Sequence, residues 1–173
     1  MVTKELTKFH VGDWIVHYYH GVGKVIGVVE KGLADNRQKF YKVSTKEIDY
    51  WLPYDNVDVD HIEPLRTKQD FEEALIILTK PPRTIAEHHK SRKKRIHERW
   101  LQGDLVSRAK LMRDLNGRLK FEKLSYNEKE MLEKVRKYFI NEWVIADRTL
   151  NRKKAKTKIK KALQLGIEKA TTD

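Results

Sequence analysis

The sequence has no cysteine, only four prolines and eight glycines among 173 residues, and no apolar run long enough to span a bilayer. The lack of cysteine excludes disulfides, iron–sulfur clusters, thiol catalysis and Cys-ligated zinc, and it fits a reducing compartment. Residues 1–9 contain no apolar stretch followed by a cleavage site, so secretion is not expected either. We therefore expect a soluble, cytoplasmic protein that contacts no membrane.

Motifs for catalysis are also missing. Neither GxxxxGK[ST] nor GxGxxG occurs, so nucleotide hydrolysis is not predicted. Among the seven histidines, His17 and His20 are three residues apart and His88 and His89 are adjacent, without an HExxH pattern. A zinc site needs three or four converging donors. The sequence thus predicts no metal, no cofactor, no small-molecule substrate and no enzymatic activity.

Charge is distributed unevenly along the chain. The whole sequence carries 37 Lys and Arg against 25 Asp and Glu, a net charge of +12. Residues 1–66 are nearly neutral, with 9 basic and 10 acidic residues, whereas residues 67–173 hold 28 and 15. A neutral module followed by a strongly basic one predicts two surfaces with different partners, the second partner being a polyanion.

The first 66 residues have the pattern of short β-strands. Candidate strands cover residues 14–17, 24–30, 39–44 and 48–52, with a possible fifth within 59–65. Turn signals separate them: Gly21 and Gly23, a polar hairpin loop at 32–37, and Pro53, which cannot donate to a ladder. Residues 1–66 are therefore predicted to form a small antiparallel barrel or strongly bent sheet.

After Pro64 the apolar period changes to that of helices. Five helices are predicted, near residues 67–80, 85–101, 104–119, 125–143 and 151–165. Thr67 and Asp104 are candidate N-caps, and Ser125 with Glu128 forms a capping box. Asn116-Gly117 are poor helix formers near the end of the third helix, and Gly166 is expected to end the fifth. The fold class is α+β, with a helical domain over residues 67–173 that includes a linker helix at 67–80.

The second predicted helix carries the densest basic run of the central region. Six cations lie within ten residues, and Glu98 is the only carboxylate among residues 88–103. At 100° per residue, Arg92, Arg95 and Arg99 share one face, and Lys90, Lys93, Lys94 and His97 share another. A merely solvated helix is the alternative. We favour contact with nucleic-acid phosphates, which releases counterions and confers little sequence specificity.

The fifth predicted helix is more basic still. Residues 152–161 hold seven cations and no acid. Ala155, Ile159, Ala162 and Leu163 give this helix an apolar stripe for packing on the bundle. A solvated, partly frayed tail and a second DNA contact both remain open for its lysines.

Several short motifs, in order, resemble those of the CarD family of bacterial transcription regulators. They are Val11-Gly12-Asp13, His20-Gly21 with Val25, Pro53 at a strand end, Gly103-Asp104, Arg113-Asp114-Leu115, and Leu124-Ser125 with Glu128-Lys129, Met131-Leu132 and Glu142. Each motif is weak alone, but their shared order and spacing cover nearly the whole chain. A rival interpretation is a KOW-like accessory protein of ribosomes or RNA that does not act on RNA polymerase.

The resemblance implies a Tudor/SH3-like N-terminal domain that docks on the RNA polymerase β subunit. It implies that the helical domain contacts double-stranded promoter DNA at the upstream edge of the transcription bubble and modulates open-complex stability. No catalytic residues are implied. We expect a monomer that is associated with the nucleoid.

Two positions depart from the family pattern. Many family members have a tryptophan that wedges against the bases, and this chain has His89 at that position. Either His89 wedges weakly, or binding relies on phosphate contacts alone. Trp100, inside the same helix, is expected in the core. Two residues before Pro53 the family often has an arginine, and this chain has Trp51. Trp51 either belongs to the core or is exposed as an interface anchor.

The candidate contacts fall into two sets. The candidate DNA contacts are His89, Lys90, Arg92, Lys93, Lys94, Arg95, Arg118 and Lys129. The candidate polymerase contacts are Lys31, Lys42, Tyr50 and Trp51.

Overall fold

A computed structural model of the chain describes residues 9–32, 36–55 and 61–172. The chain separates into two compact units, Met1–Leu65 and Arg66–Asp173. The first is built from strands and the second from helices. Each unit has its own apolar core.

The first unit is a five-stranded antiparallel sheet. Its strands are β1 (Trp14–His17), β2 (Gly21–Lys31), β3 (Gln38–Ser44), β4 (Asp49–Pro53) and β5 (Ile62–Pro64), in the order β4-β3-β2-β1-β5. Pro53 lies inside β4 opposite Phe40 rather than after it, which an edge strand tolerates. Parts of the predicted hairpin loop and fifth strand, residues 33–35 and 59–60, lie outside the described residues.

Alternation along the strands gives this sheet its core. In β4, Tyr50 and Leu52 are buried while Trp51 between them is exposed. The inward residues form one cluster: Ile15, Val25, Tyr41, Val43, Tyr50, Leu52 and Ile62. Side chains two residues apart share a face, so this inward set fixes which side chains face out.

The second unit is a bundle of five helices. They are α1 (Lys68–Leu78), α2 (His89–Gln102), α3 (Leu105–Phe121), α4 (Tyr126–Ala146) and α5 (Arg152–Thr172). At its centre the Phe71 ring meets Phe139 edge-on at 5.1 Å and stacks on Trp143 at 5.8 Å. Trp100 of α2 is buried in the same core, as the sequence predicted.

Local signals placed the starts of α1, α3 and α4 correctly. The Thr67 hydroxyl accepts from the Asp70 N–H, Asp104 accepts from Ser107, and Ser125 with Glu128 forms the predicted capping box. At α2 the prediction was wrong by one turn, since that helix begins at His89 rather than near Ile85. Its C-cap, Gly103, has the left-handed φ of 69° that glycine tolerates.

Two helices continue through glycines: Gly166 was predicted to end α5, and Gly117 was predicted only to weaken the end of α3. A Cβ at Gly117 would lie 2.2 Å from the Pro82 Cβ, and one at Gly166 would lie 2.6 Å from the Lys80 carbonyl oxygen. These glycines are needed where α3 and α5 approach the chain that follows α1. Consequently α5 extends to Thr172, beyond its predicted end.

The predicted fold class, an antiparallel β domain followed by about five helices, is confirmed. Of the helices that the structure describes, none combines the length and apolarity that a membrane crossing requires.

Candidate nucleic-acid interface

Arg92 of α2 faces the protein interior. Arg92 is only 6% exposed, and it lies on the same side of the helix as the buried Ile96 and Trp100. Its Nε donates to the Glu128 carboxylate, and its Nη1 donates to the carbonyl oxygens of Ala86 (3.1 Å) and Glu87 (2.8 Å). Because these acceptors engage its guanidinium in the interior, Arg92 is not available to a phosphate.

The other two arginines of this face hold the segment between α1 and α2. Arg95 Nη1 donates to the Ile85 carbonyl at 2.7 Å. Arg99 Nη1 donates to the buried Asp114 carboxylate at 2.8 Å, which also accepts from the Arg83 backbone N–H at 2.9 Å. The planar guanidinium suits such multiple bonding, so this arginine face is part of the scaffold. Arg95 remains exposed at the surface beside its one bond.

The opposite face of α2 is exposed and cationic. His89, Lys90, Lys93, Lys94 and His97 are all exposed, and we call them the lysine face of α2. Lys94 has an exposed partner in Glu98, with Nζ and Oε1 3.8 Å apart, a pair that contributes little stability. Within the described residues no ion pair is recorded for Lys90 or Lys93. The face therefore offers nearly its full charge to solvent.

The start of α2 also favours an anion. The N-cap His88 makes no side-chain capping bond, and the first turn contains no acidic residue. The positive end of the helix dipole and the nearby lysines therefore repel each other, with no acidic residue in the first turn to offset them. Binding an anion there would relieve that repulsion and satisfy free backbone N–H groups.

A groove between α2 and α4 adds a cation that sequence inspection missed. Its volume is about 550 Å³, and its lining includes His89, Lys93 and His97 from α2 and Lys134 from α4. The Lys134 ammonium lies 4.7 Å from the Trp100 ring centroid. Helical periodicity could have identified this cation, because Lys134 follows the partly buried Met131 by three residues and so lies next to it on α4.

The two remaining predicted DNA contacts differ from one another. Arg118 is partly buried, with its Nη1 bonded to Glu122 and its Nε 3.6 Å from Glu128. Lys129, in the first turn of α4, is exposed. Lys129 therefore stays a candidate contact, whereas Arg118 belongs with Arg92 in the interior ion-pair network.

Glu128 joins this network to the cap of α4. Burial would raise the pKa of Glu128, but the hydrogen bonds from Arg92 and from the Ser125 N–H, aided by the Arg118 charge, hold that pKa below its usual value. The carboxylate therefore stays ionised while it binds α2 and caps α4. One side chain thus fixes the distance between the two helices that line the groove.

On the β unit, the predicted polymerase contacts separate onto two faces. Trp51 is 45% exposed, and the Lys31 ammonium lies 3.3 Å from its ring centroid. Lys42, opposite Trp51 on β3, is 3.2 Å from Asp49. Tyr50 is buried in the core, so its ring cannot contact a partner. The same burial raises the pKa of its hydroxyl.

A second tryptophan shares the outer face with Trp51. Across the sheet, Trp14 of β1 lies opposite Lys24 of β2, Lys24 lies opposite Ser44 of β3, and Ser44 lies opposite Asp49 of β4. Paired residues share a face, and Trp51 is two residues after Asp49, so Trp14 and Trp51 lie on the same side. Trp14 is 37% exposed, and the Lys24 ammonium lies 5.7 Å from its ring centroid. We call Trp14 and Trp51 with their lysines the tryptophan face of the sheet. Sequence inspection missed Trp14 because it was assigned only to a strand, with no face.

Among the described residues, no three histidine or acidic side chains come together as metal ligands would. The two units therefore present a cationic helix face and an aromatic sheet face.

Two family models match the chain. Residues 9–66 match the model of the CarD-like/TRCF RID domain, and residues 73–160 match that of the CarD C-terminal domain. Together the two matches cover most of the chain and identify a family of transcription factors. The chain belongs to the CarD family.

Two relatives illustrate the reach of the similarity. YdeB of Bacillus subtilis (strain 168), named as a candidate transcription factor, is 24% identical over 136 residues, which cover 78% of this chain and 89% of YdeB. The transcription-repair-coupling factor of Staphylococcus epidermidis is 36% identical over 56 residues, 32% of this chain and 5% of that protein. The latter similarity is confined to one short segment.

Proposed function

We propose that this protein binds the RNA polymerase β subunit through its β unit and double-stranded promoter DNA through its helical unit, and thereby modulates open-complex stability. The observation that carries the DNA part is the lysine face of α2, which is exposed while Arg92 and Arg99 of the same helix donate to buried carboxylates. The contacts are mainly to phosphates, so the protein itself adds little sequence selectivity. No catalytic step is part of this role.

The proposed DNA contacts are fewer than the candidate residues that the sequence predicted. They comprise His89, Lys90, Lys93, Lys94 and Lys129, with Arg95 at the margin. Arg92 and Arg118 are left out because each is engaged with Glu128.

The proposed polymerase contacts lie on the tryptophan face. Large amphipathic rings at the centre of an interface commonly dominate binding energy, and Trp51 and Trp14 are two such exposed rings. Lys31 and Lys42 flank Trp51 on this face. Tyr50 contributes only by shaping the strand.

Replacing Trp51 with Ala is expected to weaken binding to the isolated β subunit at least about tenfold, since loss of a hot-spot ring costs 2 kcal/mol or more. Trp51→Phe should retain most of the affinity. Biolayer interferometry with immobilised β subunit provides the measurement. Tyr19→Ala is a matched control, because it removes a similarly exposed ring from the β1–β2 turn. Equal losses in both Ala variants would contradict a specific role for the tryptophan face.

A second prediction concerns His89 at the first position of α2. His89→Trp is expected to lengthen open-complex lifetime while scarcely changing affinity for fully paired DNA. A larger ring stacks only where bases are already unpaired, and such stacking contributes about 1 to 3 kcal/mol per base. His89→Ala should shorten the lifetime. Equal lifetimes for all three forms at neutral pH, with polymerase in excess, would place position 89 away from the fork.

The function as a whole is tested by promoter open-complex lifetime, measured with and without the protein. A change that requires both the tryptophan face and the lysine face supports the proposal. The rival KOW-like role predicts no recovery of the polymerase β subunit by co-purification and no change in lifetime.

A further inference from the structure

The proposed function leaves a large basic groove unused. The groove, of about 700 Å³, lies between α3, α4 and α5, and none of its lining residues belongs to α2. The groove is therefore a surface separate from the lysine face of α2.

The groove carries cations from all three helices. They are Lys120 of α3, Arg136 and Lys137 of α4, and Arg152, Lys156 and Lys160 of α5. The only carboxylate in the lining is Glu133, and its Oε1 already accepts from Arg136 Nη1 at 2.8 Å. Arg136 also donates to Asn116 and Arg152 donates to Asn141, whereas Lys120, Lys156 and Lys160 are exposed. The groove therefore favours a ligand that brings several negative charges.

The base of the groove is apolar. It is formed by Ile140 of α4, Ile159, Leu163 and Ile167 of α5, and Leu119 of α3, whose side chain is 45% exposed. Phosphate oxygens would gain nothing from this surface, whereas leucine-like side chains would be removed from water against it. Ile140, Ile159, Leu163 and Ile167 are themselves nearly buried, so Leu119 supplies most of the exposed side chain at this base. The groove therefore favours a ligand that is apolar on one side as well as acidic.

The spacing of the cations is helical. Arg152, Lys156 and Lys160 follow one another every four residues, about 6 Å apart along α5. Carboxylates every four residues on a ligand helix have the same repeat. From Arg152 to Ile167 the groove runs along about 22 Å of α5, the length of a helix of about 15 residues.

We propose that this groove is a docking site for an acidic amphipathic helix of a partner protein. The apolar side of that helix packs on the base of the groove, and its flanking carboxylates meet the cations of the rim, the binding mode in which a helix lies in a groove. This inference goes beyond the polymerase and DNA contacts and does not depend on them.

The test uses the full chain and a labelled synthetic peptide of 16 residues. The peptide carries Leu at i, i+4, i+7 and i+11 with Glu on both flanks. A comparison peptide has the same composition, but its leucines are spread around the helix. By fluorescence anisotropy we expect the amphipathic peptide to bind at least about tenfold more tightly than the comparison peptide and than a single-stranded oligonucleotide of equal charge. Equal affinity for the two peptides would overturn the proposal.

Variants place the binding in the groove. Lys156→Glu combined with Lys160→Glu should weaken peptide binding at least about tenfold. Lys153→Glu combined with Lys154→Glu makes the same charge change on exposed α5 residues outside the groove, and it should have little effect. Leu119→Ser should weaken the amphipathic peptide only. If the groove variant instead reduces nucleic-acid binding and spares the peptide, the groove is a phosphate site and the proposal fails. Circular dichroism melting of each variant separates these results from unfolding.

Discussion

Replacing Lys90, Lys93 and Lys94 with Ala is expected to weaken binding to all duplex sequences alike and to flatten its salt dependence. Each phosphate contact contributes about 0.9 to the slope of log affinity against log salt, so losing three contacts changes the slope by roughly 2 to 3. Titrations of labelled duplexes between low and physiological salt measure the slope. Two unrelated duplexes of equal length test the uniformity, because phosphate contacts carry no direct sequence information.

A matched triple variant on α5 serves as the control. Lys153, Lys154 and Lys161 are exposed, and replacing them with Ala removes the same charge. If the lysine face of α2 is the DNA contact, this control keeps the original slope. A flattened slope in the control and an unchanged slope in the α2 variant would assign DNA binding to α5 instead.

The sequence predicted those features whose partners lie nearby along the chain. Capping bonds join residues three apart, so the N-cap Thr67 and the capping box of Ser125 with Glu128 could be identified without a structure. Strand alternation showed that Tyr50 and Leu52 share a face. It did not show which face is the core, because that depends on β3 and on the cluster around Val43.

The division of α2 into two faces was only half predicted. The angular positions of the six cations were correct, but both sets were treated as candidates for phosphate. Ile96 and Trp100, one turn apart, could have identified the buried side of α2. Arg92 precedes Ile96 by four residues and therefore lies on that side. The acceptors of Arg92, Arg95 and Arg99 come from the 85–87 segment, α3 and α4, and helical periodicity does not reveal them.

The glycines of α3 and α5 show a further limit of sequence inspection. A glycine that ends a helix and one that allows close packing are the same residue, and they differ only in what lies opposite. For Gly117 that neighbour is Pro82, and for Gly166 it is the Lys80 carbonyl, both distant along the chain. Helix ends beyond such glycines therefore depend on tertiary structure.

Arg92→Ala is expected to destabilise the helical unit by about 3 kcal/mol, because it leaves the buried Glu128 without its main partner. Arg92→Lys should recover only part of this loss, since an ammonium cannot reproduce the guanidinium's bonds to Glu128, Ala86 and Glu87. Lys94→Ala, two residues away on the exposed face, should change stability by less than about 0.5 kcal/mol. Urea unfolding at neutral pH measures all three. Similar stabilities for the two Ala variants would mean that Arg92 is not part of the scaffold.

The same ion pair predicts how the loss depends on pH. The pKa of Glu128 is held below its usual value in the folded protein, whereas in the unfolded chain it is about 4.3. Its stabilising contribution is therefore complete above about pH 5 and is lost as pH falls through the lower folded pKa. Removing Arg92 takes away the largest influence that lowers the pKa of this carboxylate, so the stability gap between wild type and Arg92→Ala should narrow between about pH 5 and pH 3. Glu128→Gln, which removes this titration, should show a weaker acid dependence than wild type. A gap that stays constant over this range would mean that the pair does not depress the pKa of Glu128.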